Sequence, residues 1–306
     1  MRHSRVLVYG AGVIGTFYAE LLAAAGEDVS LLARGRRLEQ LRSRKEITVL
    51  DRLDDGDRFD VIFVAVRSNQ MPSALEALRG NVSETLVTLA NSNGDYSAWE
   101  EIAGKGRLLP AFPGAGGSID SEGFLHAKLT PRWIQPTVFG EIDGSRTERS
   151  AALGALFRKC GIPSCEVKDI SAWQRCHLGL VVPLADAYAL SETPETIWKD
   201  RSVIHRTAVA LRGNVKALCR EGVRLDPVWL HAIRILPTFV VICVLREVFA
   251  SKFASVFMRP HAISGREEMA FLHELFYSAT CVGPFFDKTA TAQGTRPSII
   301  VKDTSL

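Results

Sequence analysis

The sequence predicts an α/β domain with a parallel sheet, followed by an all-α domain. Short apolar runs alternate with helical segments through the first half of the chain, which is typical of a parallel sheet covered by helices. From Asp169 onward the pattern is helical throughout. The length of 306 residues also exceeds what one hydrophobic core usually covers. We therefore predict an α/β domain over residues 1–167 and a helical domain over residues 168–306.

A glycine-rich turn close to the amino terminus gives the first domain its predicted function. The apolar run Val6–Tyr9 reads as a buried strand, and Thr16–Ala25 reads as a helix. Between them Gly10, Gly12 and Gly15 have G-x-G-x-x-G spacing, in which the glycines allow a tight turn, close approach of a pyrophosphate and close helix packing. The pattern predicts a Rossmann-type dinucleotide-binding domain, and a plain tight turn is the alternative. The predicted contacts with the cofactor are Gly10, Ala11, Gly12, Val13, Ile14 and Gly15.

The end of the second predicted strand indicates which dinucleotide binds. Residues 28–33 read as that strand, and Arg34 follows in place of a carboxylate. An acidic residue there would accept hydrogen bonds from a ribose 2′-hydroxyl, whereas a guanidinium pairs with a 2′-phosphate. The sequence thus favours NADP over NAD. Arg36 and Arg37 are alternatively the solvated start of the next helix, and we favour that interpretation for Arg37.

Polar residues follow two further predicted strands. Residues 47–50 and 59–66 read as strands, and the second of them ends at Val66 and Arg67. The strand over residues 85–90 is followed by an asparagine-rich turn. Ligands bind at the carboxyl ends of strands in parallel sheets. We therefore predict cofactor contacts from Val66, Arg67, Asn91 and Asn93, with an Asx-type turn as the alternative for the two asparagines.

The remainder of the first domain reads as strands at 108–112 and 138–141, separated by a flexible glycine-rich crossing at 113–117. A helix follows over residues 151–160, and Gly161 ends it.

Composition excludes several classes of function. The net charge of +3 and the scattered arginines give no argument for nucleic acid binding. The six cysteines form no C-x-x-C pair, and the first strand leaves no room for a signal peptide, so we expect free thiols in the cytoplasm. The apolar stretch 235–245 is too short to span a membrane and reads as a core helix or a homodimer interface. The seven histidines form no ligand-spaced cluster, so we expect no metal.

Together these features resemble the ketopantoate reductase (2-dehydropantoate 2-reductase) family. The resemblance rests on GAGVIG at residues 10–15, Arg34, the strand VIFVAV before Arg67, the Asn-Gly loop at 91–94, FGEIDG at 139–144 and the helix led by Trp173. It implies a Rossmann domain, a helical second domain, and reduction of a small 2-keto acid by NADPH, as in pantothenate biosynthesis. A homodimer is the expected assembly for a cytoplasmic enzyme of this kind.

The chain departs from the family where the resemblance places the catalytic acid. The family lysine two residues after the tryptophan is Arg175 here, and a family asparagine one turn later is Gly179. Arginine can hold a carboxylate and polarise a carbonyl, but its pKa is too high for a general acid. A histidine such as His177 ordinarily titrates near neutrality. It lies about 200° around the helix from Arg175, so if Arg175 faces the cofactor, we interpret His177 as a packed histidine. Glu268 best matches a family glutamate on a late helix.

Two functions therefore remain open from the sequence. The first is an NADPH-dependent oxidoreductase that acts on a small 2-keto acid, with Arg175, His177 and Glu268 as catalytic residues. The second is a regulatory or sensor protein that retains the dinucleotide site and has lost catalysis.

Overall fold

The computed structural model describes residues 4–42, 44, 46–54 and 56–280 of the chain. They divide into two compact units between Gln174 and Arg175. The boundary predicted from the sequence lies between residues 167 and 168. The sequence after Tyr277 has little pattern, so we expect either a loose extension or a segment that covers a partner. From position 281 onward it lies outside the described residues.

The described residues of the first unit form ten strands and the helices that cover them. The strands are β1 (Arg5–Tyr9), β2 (Asp28–Leu32), β3 (Thr48–Leu50), β4 (Val61–Val64), β5 (Leu86–Leu89), β6 (Leu108–Phe112), β7 (Ala115–Ile119), β8 (Leu125–Leu129), β9 (Thr137–Phe139) and β10 (Ser164–Glu166). The helices are α1 (Val13–Ala24), α2 (Gly35–Leu41), α3 (Met71–Ala77), α4 (Ser97–Ala103) and α5 (Glu148–Lys159), and a 3₁₀ turn covers Ser68–Gln70. The helix α6 (Ile170–Leu190) begins in this unit and crosses its boundary.

Eight of these strands form one sheet in the order β3-β2-β1-β4-β5-β6-β9-β10. All neighbouring pairs are parallel except β6 and β9. Residues alternate between the two faces of β1: Val6 and Val8 join a core cluster with α1 and α5, whereas Leu7 and Tyr9 join a cluster with α3. Burial on both faces explains why the strand reads as a continuous apolar run. The predicted Rossmann-type architecture is confirmed.

The prediction for the glycine-rich segment 113–117 is wrong. Residues 113–117 do not form a flexible crossing, because β7 pairs with β8 in a separate antiparallel hairpin. Ala115 and Leu129 of the hairpin pack against the core cluster that contains α1. A Cβ atom on Gly117 would lie 2.1 Å from the carbonyl oxygen of His126. This glycine therefore permits close strand pairing.

The second unit is helical throughout its described residues, as predicted. Besides the remainder of α6 it contains α7 (Arg201–Arg220), α8 (Leu230–Ile235), α9 (Thr238–Ala250), α10 (Arg259–Ser264) and α11 (Arg266–Ser278). A 3₁₀ segment covers Pro194–Lys199, and a π turn covers Ala254–Met258. The core includes Leu178, Ile204, Leu218 and Leu272, none of which is exposed. The apolar stretch 235–245, predicted as one helix, is divided. Ile235 ends α8, and residues 238–245 begin α9, where Val241 and Leu245 are buried.

Candidate functional site

The three glycines after β1 have three different surroundings. Gly10 has φ +112°, and a Cβ atom there would lie 2.6 Å from the carbonyl oxygen of Ala65. A Cβ atom on Gly15 would lie 1.8 Å from the carbonyl oxygen of Gly10. At Gly12, by contrast, a Cβ atom would meet nothing within 4 Å. The outer glycines are therefore required by the protein's own packing, whereas the middle one leaves an open space beside the backbone.

The open space lies at the amino terminus of α1. Gly12 is the N-cap residue of this helix, and its carbonyl accepts the amide of Thr16 at 2.9 Å. The first amides of a helix have no partner within it and carry a partial positive charge, so they favour an anion. Val13 and Ile14 belong to this first turn and are half-buried. The arrangement fits the pyrophosphate of a dinucleotide, because a side chain at position 12 would occupy the approach.

This loop lies where the strand order of the sheet reverses direction. The chain runs from β1 to β2 and β3 on one side, then returns to β4 on the other side of β1. Ligands of such sheets bind in the crevice outside the carboxyl ends of the two central strands. Here those ends are the Gly10 loop after β1 and the segment Ala65–Arg67 after β4. Val66 is half-buried and Arg67 is exposed.

The arginines after β2 differ in what they contact. Arg34 is exposed, and its Nη2 donates to the hydroxyl of Tyr9 at 2.9 Å. Arg36 is also exposed and donates to the carbonyl of Ser121. Of the two, Arg34 immediately follows the end of β2, where a 2′-phosphate is expected.

Arg37 does not belong to a solvated helix start, so our interpretation of that residue is wrong. Its Nε donates to the carbonyl of Ala11 at 3.0 Å, and Nη1 donates to Gln40 Oε1 at 2.8 Å and to the carbonyl of Gly123 at 3.1 Å. Nη2 donates to the Thr16 hydroxyl at 3.3 Å. Its partial burial lowers the pKa of the guanidinium, and the nearby charge of Arg44 acts in the same direction. Arg37 therefore stabilises the glycine loop through its hydrogen bonds to Ala11 and Thr16.

The asparagines after β5 also differ. Asn93 Oδ1 accepts the amide of Asp95 at 3.1 Å, which is the Asx-type turn considered as an alternative. Asn91 is only 5% exposed, and among the described residues its buried Oδ1 accepts no hydrogen bond. Buried acceptors without a partner are rare in folded proteins, so Asn91 is the better candidate for contacting a ligand.

Gln174 holds the loop on both sides of Asn91, which the sequence analysis did not foresee. Its Nε2 donates to the carbonyl of Ala90 at 3.1 Å, and its Oε1 accepts the amide of Ser92 at 3.2 Å. The residue is 1% exposed. Its position beside Trp173 was visible in the sequence, but no local pattern links it to residues more than eighty positions earlier.

Arg175 and Gly179 lie one turn apart on α6 and both face α7. The Arg175 guanidinium forms an ion pair with Glu221, at the carboxyl end of α7. A Cβ atom on Gly179 would lie 3.1 Å from Leu218 Cδ1 and 3.5 Å from the Phe276 ring. Position 179 therefore faces the core of the second unit, and the charge of Arg175 is balanced by a carboxylate.

His177 and Glu268 complete the predicted catalytic set. Desolvation of the imidazole, together with a smaller contribution from His261, lowers the pKa of His177 to about 3. His177 is thus neutral near pH 7 and has no readily available proton to donate. Glu268 lies in the first turn of α11 and is 4% exposed, whereas its neighbour Glu267 is exposed.

The lowered pKa of His177 predicts a pH dependence of stability. The unfolded chain takes up a proton near pH 6.5 that the folded chain takes up only near pH 3. The free energy of unfolding should therefore be fully retained above pH 6.5 and fall at lower pH, by up to about 1.4 kcal/mol per pH unit. The free energy of unfolding of His177→Gln, measured in urea between pH 7 and pH 5, should fall less steeply with decreasing pH than that of the parent chain. The exposed His205 supplies the control His205→Gln, and equal slopes for both variants would contradict the prediction.

The described residues show neither a metal-binding cluster nor a helix that could cross a membrane. These residues contain no group of three or more His, Cys, Asp or Glu side chains that could hold a metal ion. None of their helices combines the length and apolar character needed to cross a bilayer.

Comparison with known proteins places these features in a family. The sequence model of the family described as Ketopantoate reductase PanE/ApbA matches residues 6–144. The chain is 24% identical over 234 residues to a 2-dehydropantoate 2-reductase of Pyrococcus horikoshii, which covers 72% of this chain and 76% of that protein. It is 26% identical over 167 residues to an uncharacterized oxidoreductase, YkpB, of Bacillus subtilis. That match spans 50% of this chain and about half of the relative, 54%.

Solved structures share the fold at low sequence identity. The 2-dehydropantoate 2-reductase of Geobacter metallireducens has a TM-score of 0.66 and 19% identity, covering 90% of this chain and 100% of that one. A D-mandelate dehydrogenase, solved with NADH and anilino(oxo)acetate, has a TM-score of 0.60 and 13% identity, with 89% and 97% covered. The glycine loop and strands β2 to β9 lie within the segment that the family model matches. Residues 6–144 thus match the ketopantoate reductase PanE/ApbA domain, and the relatives and structural neighbours support a divergent member of that family.

Proposed function

We propose that this protein is an NADPH-dependent oxidoreductase that reduces a small 2-keto acid. The observation that carries the proposal is the glycine loop, where Gly12 leaves an open space at a helix amino terminus while Gly10 and Gly15 are packed. Arg34, at the end of β2, supports NADPH over NADH because a guanidinium pairs with a 2′-phosphate. The substrate is a small keto acid that need not be 2-dehydropantoate.

Each part of the site has a proposed role in binding. The amides of the first turn of α1 hold the pyrophosphate, and Arg34 holds the 2′-phosphate. The buried Oδ1 of Asn91 accepts a hydrogen bond from the cofactor or substrate, while Gln174 fixes the loop that carries it. Bound NADPH would supply the hydride to the carbonyl carbon, and solvent water would supply the proton to the carbonyl oxygen.

On the substrate side, Arg175 has a role suited to a guanidinium. It binds the substrate carboxylate and stabilises the oxyanion that develops on the carbonyl, and it does not release a proton. Glu221 orients Arg175 through their ion pair. His177 is half-buried and its lowered pKa keeps it neutral, which favours packing over acid catalysis for this residue. Glu268 is the third predicted catalytic residue, and we propose that its buried carboxyl contacts the substrate.

The proposal includes a homodimer. Large apolar side chains are exposed on α8 and α9, among them Ile235, Phe239 and Val244. Clustered apolar exposure of this kind marks an interaction surface more often than a free surface. Symmetric pairing with a second copy is the commonest way to cover such a face.

A dinucleotide-binding protein without catalysis is the second candidate. Two observations favour it: Arg175 is already paired with Glu221, and position 179 carries no side chain. Such a protein would retain the whole amino-terminal site. Turnover is the property that separates the two candidates.

Titration with NADPH and NADH tests the cofactor proposal, and keto acids test the reaction. We expect NADPH to bind at least about tenfold more tightly than NADH, with Arg34→Ala removing the preference and the exposed control Arg36→Ala retaining most of it. Nucleotide fluorescence measures the affinities. A panel that contains 2-dehydropantoate and phenylglyoxylate, the keto acid corresponding to mandelate, then measures turnover. NADPH binding without oxidation on any keto acid would favour the non-catalytic candidate, and binding of neither nucleotide would contradict both.

A further inference from the structure

Tyr9 joins the end of β1 to the arginine that follows β2. It is the last residue of β1, immediately before Gly10, and is 6% exposed. Its ring belongs to the core cluster that also contains Leu7, Leu32 and Val64. The aromatic body is thus fixed by packing, while the hydroxyl reaches the Arg34 guanidinium.

The contact with Arg34 has two components. Arg34 Nη2 donates to the Tyr9 hydroxyl at 2.9 Å. The guanidinium carbon also lies 5.7 Å from the centroid of the Tyr9 ring, within the range of a cation–π interaction. A buried, rigid partner therefore holds one end of an exposed and otherwise flexible side chain.

Such a contact affects anion binding through conformational entropy. A free arginine side chain loses rotamer freedom when it is fixed against a phosphate, and that loss weakens binding. A guanidinium has five N–H donors, so the hydrogen bond to Tyr9 leaves further donors for a phosphate. Because Tyr9 holds Arg34 in place before the ligand arrives, less side-chain entropy is lost when Arg34 binds a phosphate. This increases the affinity only for a ligand that carries a 2′-phosphate.

We propose that Tyr9 is a positioning residue for cofactor selectivity, which orients Arg34 toward the 2′-phosphate of NADPH. The inference rests on the proposed function, because it assumes that Arg34 recognises this phosphate. Tyr9 need not touch the cofactor to have this effect.

The test is the binding of 2′,5′-ADP and 5′-AMP, which differ by the 2′-phosphate alone, measured calorimetrically on the full chain. Tyr9→Phe keeps the ring and removes the hydroxyl. We expect it to weaken 2′,5′-ADP binding by about threefold to tenfold, the range for loss of one hydrogen bond, and to leave 5′-AMP binding unchanged. In an Arg34→Ala background the same substitution should have no further effect on either ligand.

The outcomes separate the inference from the proposed function. If the parent chain binds both ligands equally, the NADP proposal and the role of Tyr9 both fail. If the parent chain prefers 2′,5′-ADP and Tyr9→Phe keeps the full preference, the inference alone is overturned. Equal weakening of both ligands, or an undiminished effect in the Arg34→Ala background, would assign Tyr9 to the general stability of the loop and would also overturn it.

Discussion

Replacing Gly12 with alanine should abolish tight NADPH binding in a protein that still folds, whereas the same change at Gly15 should prevent normal folding. At position 12 a methyl group meets no protein atom within 4 Å, and the backbone there is extended. The stability cost is therefore only about 1 kcal/mol or less, from a poorer helix cap. The methyl group would nevertheless occupy the approach of the pyrophosphate, so we expect a loss of affinity of at least about tenfold.

Gly15→Ala is the matched substitution in the same loop. Its methyl group would lie 1.8 Å from the carbonyl oxygen of Gly10, so α1 and the loop would have to move apart. We expect the free energy of unfolding to fall by about 3 kcal/mol or more, because the contacted carbonyl of Gly10 belongs to the backbone and cannot move away by changing rotamer. Thermal unfolding by circular dichroism and nucleotide fluorescence would be measured on both variants. Unchanged NADPH binding in Gly12→Ala, or an unchanged melting temperature in Gly15→Ala, would contradict this account of the loop.

Arg107 should be the largest single contributor among the arginines to the stability of the first unit. Located just before β6, it donates to the carbonyl oxygens of Ala103 at 2.6 Å, Asn81 at 2.7 Å and Ser83 at 2.8 Å. Its removal would leave several partly buried carbonyls without partners. We expect Arg107→Ala to lower the free energy of unfolding by about 3 kcal/mol.

Urea unfolding measures this effect, and a surface arginine supplies the control. Arg79 is exposed in the turn after α3 and pairs with Glu76 three residues earlier, so Arg79→Ala should change stability by no more than about 0.5 kcal/mol. Arg107 lies at the amino end of β6, whereas the glycine loop lies at the carboxyl ends of β1 and β4. Folded Arg107→Ala should therefore bind NADPH with the affinity of the parent chain. Equal unfolding midpoints for the two variants would refute the assignment.

The elements of the fold could be predicted where local pattern and tertiary role agree. Strands such as β1 and β4 are buried on both faces and so appear in the sequence as apolar runs. The hairpin of β7 and β8 could not be predicted in the same way. Its first strand contains Gly116 and Gly117, which local propensity assigns to a loop, while the requirement for glycine at 117 comes from a strand ten residues later.

The candidate site was predictable to the same extent. The glycine spacing is local, and the positions of Gly10, Gly12 and Gly15 follow from it directly. The buried role of Arg37 depends on Gly123, and the pairing of Arg175 depends on Glu221. Such partners lie far away in the sequence, and both side chains are charged, so the pattern alone favours solvent exposure. The sequence indicates the role of Tyr9 only weakly, because the one clue is a hydroxyl-bearing residue at the end of an otherwise largely aliphatic strand.

The packing around Gly179 has a consequence for how this chain diverged and how it could be redesigned. A larger side chain at this position meets Leu218 and Phe276, which fill the space that an asparagine would need. An asparagine at 179, which the resemblance led us to expect, would therefore need the Leu218 side chain to shift or to be replaced by a smaller one. The two positions form an epistatic pair, in which a single reversion is penalised and the order of substitutions matters. A redesign that introduces a side chain at position 179 would have to change the core of the second unit together with α6.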